Sequence, residues 1–574
     1  MKTKLIILFT AIILATTVLY KTRSADNFDY SKKIGINSIS CTTAKFLLKN
    51  IDTTKQIAPL FENLGNHTYI VSTKNKLAQQ FFNQGLRLTY AFNHAEAHRS
   101  FMEASRLDPK CAMAYWGQAY VLGPNINDPA PDDERKNKYN EAIKKAMKLT
   151  AEATPKEQAL IEALTHRYSK NLSKNVSILN MAYMEAMTKV AAKYPNDSDI
   201  LTLYAASVMN TVPWNYWDKD GNPSPNIKEA KAALENAMQL NPDNPGANHY
   251  YIHMVELPYP DLGVPSADKL GSLMPAAGHI VHMPSHIYIR VGRYKDAVKA
   301  NQQAILADED YISQCFAQGM YPLGYYPHNI HFLWSASSLL GNSKIAIDAA
   351  KKTAEKVPAG EMKELHFLQN FASTPLLAYT RFGKWNDILT YPKPNDNLKH
   401  LKLIWHYARG IAFIRKNNFK EAKEELEAIN EMIKDPEMET LMATGFDSGT
   451  TIAKLAYEVV AGELAGLEGN YNLAIEHLRK AVVLEDGLIY NEPAAWHIPT
   501  RQNLGAILMK AQKYEEAEKI YNEDLQALRQ NGWSLTGLYK SLIAQGKMAE
   551  AKKIKNEFDK AWSDADIIID TSIL

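Results

Sequence analysis

"FFNQGLRLTYAFNHAEAHRSFMEASRLDPK", residues 81–110, decides the fold class. Gly85, Ala97, Phe101, Ala104 and Pro109 fall at the eighth, 20th, 24th, 27th and 32nd places of a unit of about 34 residues built from two antiparallel helices. The small residues stand where the two helices cross, and a large side chain there would hold them apart. A helix pair of this kind buries its apolar face only when it stacks on neighbouring pairs.

The scheme returns along the chain, which marks it as the tetratricopeptide repeat. "HYARGIAFIRKNNFKEAKEEL" supplies Gly410, Phe413, Ala422 and Leu426, and "VVAGELAGLEGNYNLAIEHLRKA" supplies Gly462, Ala474, Leu478 and Ala481. "TRQNLGAILMKAQKYEEAEKIY" carries Gly505, Leu508, Ala517 and Tyr521, and a terminal window carries Leu542 and Ala551. "KEAKAALENAMQLNPDN" matches the second helix, with Ala230, Leu234, Ala237 and Pro242 in place. Alternating strand patterns are almost absent. The expectation is an all-α solenoid of antiparallel helix pairs with loop insertions, its N-terminal and central part over 76–395 and C-terminal repeats over 396–574. Segments 123–140, 213–226, 256–266 and 318–329 are rich in Pro, Asn, Asp and aromatics and read as loops that cap a groove.

Apolar residues make up 46% and charged residues 22%, the balance of an ordinary soluble protein rather than a disordered one. With 65 basic and 63 acidic residues the chain has no electrostatic footprint for DNA or RNA, so nucleic acid is not an expected partner. Lys2 and Lys4 precede an uncharged run over residues 5–20, the pattern of a secretory signal. Residues 1–25 are therefore expected to be a signal peptide, or an uncleaved anchor and so the one membrane contact, followed by a lead-in over 26–75. The expected location is periplasmic or in the cell envelope. Three cysteines (Cys41, Cys111 and Cys315) make no disulfide framework and match no common metal spacing; Cys111 sits in an apolar context that suits a buried free thiol.

Function is sought in the histidines. In "GHIVHMPSHIYIRVGRY" (278–294), His279, His282 and His286 take the second, fifth and ninth places of a first helix, the places that face the concave groove of such repeats. Spacings of three and four keep all three on one helical face. His328 and His331 take the second and fifth places of the next repeat, and His249, His253 and Glu256 are spaced four and three apart in the preceding one. Three consecutive inner helices thus offer seven histidines and one carboxylate to one stretch of groove.

Imidazole is the commonest protein ligand for transition metals, and pairs four apart on facing helices build such sites. The favoured reading is a transition-metal site (zinc, copper or iron), with Glu256 as a ligand or as general base in a metal-dependent enzyme. Hydrolysis by a metal-bound water and oxidation at copper or iron are the reaction classes to consider. A polar groove that grips a peptide or glycan, and ordinary packing, stand beside it. Pro284 is expected to kink this helix or start it late, leaving His279 and His282 in a turn. His67, His94, His98 and His497 are weaker extensions. Arg290 suits a salt bridge better than an anionic substrate, and Trp214, Tyr216, Trp217, Tyr250 and Tyr251 suit the core. Motifs for a serine nucleophile, a phosphate loop, HExxH zinc or paired CxxC are missing from the sequence.

The segments "FNQGLRLTYAFNHAEAHRSF", "NHYYIHMVE", "AAGHIVHMPSHIYIRVGRY" and "PHNIHFLW" go beyond what the repeat demands. Over most of residues 60–550 the chain resembles a group of long exported bacterial tetratricopeptide-repeat proteins. The resemblance implies an α-solenoid and export; it brings no activity. The rival to a metal site is an envelope interaction scaffold that holds a protein or peptide segment in its groove or on its C-terminal repeats.

Overall fold

A Cβ on Gly85 would lie 2.7 Å from the Phe101 ring, so glycine is what lets the first two helices close on each other. The computed structural model describes residues 54–315 and 321–574; the expected signal segment 1–25 lies outside them. Helices α1 (Lys76–Tyr90) and α2 (His94–Leu107) form the first pair, α3 (Ala112–Leu122) and α4 (Asp133–Lys148) the second. Then come α5 (Pro155–Thr165) with α6 (Val176–Lys193), and α7 (Ser198–Met209) with α8 (Ile227–Leu240).

The central pairs are α9 (Pro245–Val255) with α10 (Pro260–Leu273), a divided first helix α11 (Gly278–His282) and α12 (Pro284–Arg290) with α13 (Tyr294–Cys315), and α14 (Tyr326–Leu340) with α15 (Ser343–Glu355). α16 (Phe367–Arg381) and the short α17 (Trp385–Leu389) lead to α18 (Lys399–Arg415) with α19 (Phe419–Lys434) and the short α20 (Pro436–Thr440). The last pairs are α21 (Gly449–Leu467) with α22 (Tyr471–Gly487), α23 (Thr500–Lys510) with α24 (Tyr514–Ala527), and α25 (Gly532–Ala544) with α26 (Met548–Ala561). The protein is an all-α helical-repeat solenoid of the tetratricopeptide type. Among the described residues there is no strand, only two isolated bridges, and no helix long and apolar enough to cross a membrane.

First and second helices differ in what they bury. Every residue of α9, "PGANHYYIHMV", is buried, whereas α8 buries only Ile227, Ala230, Ala233, Leu234 and Ala237 along one stripe. Side chains cap the starts: Asn75 accepts from Leu77 and Ala78 N–H, and Asn244 accepts from Ala247 N–H ahead of Pro245. Each such cap contributes about 1 kcal/mol. Residues 54–75 cross the first pair, with Phe61 N–H donating to Gln84 and Tyr69 N–H to Asn83.

The later repeats fold back on the central ones. Trp533 Nε1 donates to the Ser338 carbonyl at 3.0 Å, Tyr294 hydroxyl donates to the Arg529 carbonyl at 2.7 Å, and Arg529 pairs with both oxygens of Asp261. This return brings the segment after α22 against the inner helices of the centre.

Three expected loops are in large part helix. α4 begins at Asp133 behind the Asp132 cap, inside the 123–140 segment. α10 starts at Pro260 and continues through Pro265, inside 256–266, and α14 starts at Tyr326, inside 318–329. In two of these proline misled because it stands at the first or second place of α10 and α14, where its missing N–H costs nothing. The 213–226 segment is non-helical, closed by a bridge between Trp217 and Pro223.

Candidate metal centre

Pro284 divides its helix without unwinding it. A helix starts at Pro284, as expected, with His286 in its first turn, while His279 and His282 lie on a separate short helix, α11, where a turn was expected. That short helix seats closely: a Cβ on Gly278 would fall 1.9 Å from Asp308 Oδ1 of α13. Buried Asp308 accepts from Tyr321 hydroxyl and Asn329 Nδ2, both at 2.7 Å, which ties α11, α13 and α14 together.

On α9, His249 Nδ1 lies 2.6 Å from the Tyr90 carbonyl. A carbonyl only accepts, so this nitrogen carries the proton and Nε2 keeps its lone pair. Burial, then the neighbouring His253, hold His249 well below the usual imidazole range. His253 Nδ1 faces Glu256 Oε1 at 3.3 Å, which fixes the same tautomer. The two Nε2 atoms then face each other 3.1 Å apart. His279 completes the set: ligand atoms of His249, His253 and His279 all lie within 4.8 Å of one another. Both ring nitrogens of His279 are buried with no hydrogen-bond partner among the described residues. Leaving such a group unsatisfied costs about 1–3 kcal/mol.

The next set repeats the arrangement. His282 Nδ1 lies 2.7 Å from Asn301 Oδ1, and Asn301 Nδ2 donates to the Ala297 carbonyl at 2.7 Å, which settles the orientation of the amide. His286 Nδ1 donates to Glu256 Oε2 at 2.8 Å, with Glu492 Oε2 also 2.8 Å from that nitrogen. The single Nδ1 proton points at Glu256, so Glu492 adds negative charge rather than a second hydrogen bond. His282 and His286 present Nε2 to Nε2 at 2.9 Å. His328 closes the set, again within 4.8 Å.

Glu256 sits between the two sets, one oxygen to His253 and the other to His286. Burial pushes its carboxyl up, but the neighbouring imidazoles, His286 foremost, outweigh this and hold it well below the usual carboxylate range. Burial pulls His286 down, while Glu256 and then Glu492 outweigh it and raise it above the usual imidazole range. His286 thus attracts a second proton, or a cation in its place, at Nε2. Burial first, then neighbouring imidazoles, keep His279, His282 and His328 well below the usual range, so they offer neutral lone pairs. The rings of His253 and His286 have centroids 5.6 Å apart, and those of His279 and His282 5.9 Å apart, so the two sets adjoin. A third set of His253, Glu256 and His286 is as compact, using the carboxylate instead.

His331 joins neither histidine set; it is buried, stacked on Trp334 at 4.9 Å and edge-on to Phe371 at 5.3 Å. His67 pairs with Asp199 at 2.8 Å, and His94 Nδ1 faces Asn125 Nδ2 at 3.2 Å. Cys111 is a buried free thiol, pushed up to about 11 by burial. Two of the residues that cover the site, Trp214 and Tyr325, come from segments expected to cap the groove; Phe92 and Glu492 carried no such signal in the sequence. The Phe92 ring lies over His249, His253 and His279, Trp214 meets His253 edge-on at 5.1 Å, Tyr325 meets His279 at 4.9 Å, and Glu492 arrives from the far repeats. Asn301 had a signal in hindsight, a polar residue on the inner stripe of a second helix.

No protein-family model matches the chain, and no curated protein matches it. Among solved structures it is similar to human IFIT1, in a dimer with m7Gppp-AAAA, at 13% identity over 79% of this chain and 90% of that one, TM-score 0.32. It is similar to yeast Tom70 at 13% identity over 84% of this chain and 93% of that one, TM-score 0.25. It is also similar to Cut9 with Hcn1 of the APC/C at 13% identity over 85% and 74%, TM-score 0.28. The fold assignment rests on the helices themselves.

Proposed function

We propose that the protein holds transition-metal ions in two adjoining three-histidine centres, His249/His253/His279 and His282/His286/His328. One observation carries this reading. In each paired set the Nδ1 protons point away to fixed acceptors, and the Nε2 lone pairs of neighbouring rings are turned on each other at 3.1 and 2.9 Å. Two lone pairs at that distance repel unless a proton or a metal cation lies between them. Nδ1 held by a carbonyl, amide or carboxylate is also how ligating histidines are aimed. The unpartnered ring of His279 supports the same reading.

In this account Glu256 orients rather than ligates, because both its oxygens face Nδ1 atoms behind the rings. All-imidazole sets suit zinc or copper; iron would favour the set that includes Glu256. Three protein ligands leave a coordination position open, where such an ion supplies Lewis acidity or a low-pKa water. His331 is left out of the ligand set. Export is a further part of the proposal, supported by the pattern of residues 1–25 and tested by fractionating cells.

A peptide gripped at 249–331 is the weaker reading, since Phe92, Trp214, Tyr325 and Glu492 already cover those rings. A partner segment would find room elsewhere along the repeats. The deciding experiment titrates chelator-treated protein with zinc and with copper against a chromophoric competitor. Two tight sites are expected, and His282→Ala with His286→Ala is expected to lose one of them with helical content unchanged. Absence of tight sites in the unaltered chain, or retention of both by the double variant, sinks the proposal.

A further inference from the structure

A cavity of about 550 Å³ lies beside the second histidine set, between α14, α16 and the 488–499 segment, within the usual size of a small-molecule site. It shares two walls with the histidines. Phe332 stacks on His286 at 4.7 Å, and Glu492 is the carboxylate next to His286 Nδ1. Its apolar lining sets four aromatic rings, Phe332, Trp334, Tyr490 and Trp496, among aliphatic side chains such as Leu339 and Leu488.

Among the buried polar atoms of this cavity that lack a hydrogen-bond partner, donors predominate, and Glu492 Oε2 is the one carboxylate oxygen with them. Trp334 Nε1, Trp496 Nε1 and Arg381 Nη2 are buried and have no hydrogen-bond partner among the described residues, and each of the three residues is 3% exposed. Arg290 Nε is in the same condition, and so are both ring nitrogens of His497. Trp and Arg can only donate. Apart from Glu492, whose Oε2 stands 2.8 Å from His286 Nδ1, the acidic groups of the lining are meanwhile taken. Arg501 pairs with Asp486 and Glu523, Asp524 accepts from Gln502, Asn531 and Ser534, and Glu485 accepts from Thr500. Arg381 itself has only the neutral Gln502 oxygen at 2.8 Å and the face of Trp533 at 3.6 Å. A buried guanidinium with a neutral acceptor, set among spare N–H donors, lacks an anion with several oxygens. Burial pulls Arg381 down to about 9 despite Asp524, the response of a cation short of partners.

We infer that this cavity binds a small carboxylic acid with an aromatic body, its carboxylate taken by Arg381 and the indole N–H groups of Trp334 and Trp496 and its ring held by the aromatic walls. The inference rests on the cavity and stands whether or not the histidines hold metal. If they do, the acid lies beside the second set as substrate or effector.

Equilibrium dialysis of the full chain tests it, with phenylacetate and indole-3-acetate as probes and 2-phenylethanol as the uncharged control, on chelator-treated and zinc-treated protein alike. Saturable binding of one equivalent of at least one acid is expected, with the alcohol at least about tenfold weaker, as befits charge-assisted hydrogen bonds. Trp334→Phe together with Trp496→Phe keeps the rings, removes both donors and is expected to weaken the acid about tenfold. Arg381→Met is expected to abolish the preference for the acid; should it fail to fold, the Phe double variant decides. Absence of saturable binding of either acid, equal affinity for the alcohol, or an unaltered affinity in the double Phe variant overturns the inference. Metal content measured on the same samples separates this outcome from failure of the metal proposal.

Discussion

Glu256 Oε2 accepts from His286 Nδ1 at 2.8 Å, and the other oxygen of the same carboxylate faces His253 Nδ1 at 3.3 Å. One side chain therefore aims one histidine in each set. Glu256→Gln keeps a single acceptor oxygen and puts an amide N–H₂ against the other imidazole. Metal affinity should fall by about 10–100-fold at one or both centres, the usual loss when such a partner is removed. Competition titration reads it, and two unaltered affinities would remove Glu256 from the account.

Asn301 does for His282 what Glu256 does for His286, since its Oδ1 takes the Nδ1 proton at 2.7 Å. Asn301→Leu frees that ring to turn or change tautomer. The second centre should lose about tenfold in affinity while the first is untouched. A loss shared equally by both centres would mean that the substitution disturbs the fold instead.

Asp308 gives the fold a pH dependence separate from metal. Burial pushes its carboxyl up to about 7, against the hydrogen bonds of Tyr321 and Asn329. A folded pKa above the unfolded one means that the native state binds the proton more tightly. The stability involved is complete below about pH 4 and is lost as pH rises from there towards 7. In chelator-treated protein, urea unfolding of the unaltered chain relative to Asp308→Asn should show that loss, of the order of 2–4 kcal/mol. Parallel profiles for the two proteins would contradict it.

Phe101 is fully buried, its ring within 2.9 Å of where Cβ atoms on Gly85 and Gly117 would lie. Those glycines shape the gap to the ring, so Phe101→Ala leaves a cavity that rigid helices cannot close. A cost of about 3–5 kcal/mol is expected in chemical unfolding. A change below about 1 kcal/mol would show that the first repeats collapse around the hole.

The repeat was legible because its small residues obey a steric rule: Gly85 must admit Phe101 whatever surrounds it. The histidines were legible as faces, since spacings of three and four hold on any helix, and α9 and α14 carry them as expected. Their partition into two sets was not, because it depends on where Pro284 restarts the helix and on how three helices converge. His331 shows the limit, sitting on the right helix yet turned towards Trp334 and Phe371. Glu492 was beyond reach for another reason: it lies about two hundred residues from His286 in the chain, and only the return of the later repeats joins them. Two expected loops differ from the structure because proline, read as a breaker, stands in the first turn of a helix at Pro260 and Pro327, whereas Pro284 starts its helix late, as expected.

The most direct test of the central claim is elemental analysis of the protein purified without an added histidine tag. Zinc or copper close to two equivalents, falling by one in the His282→Ala/His286→Ala variant, is the result expected. Protein that is metal-free as isolated and takes up no added zinc or copper would contradict it, and the facing imidazoles would then share protons instead.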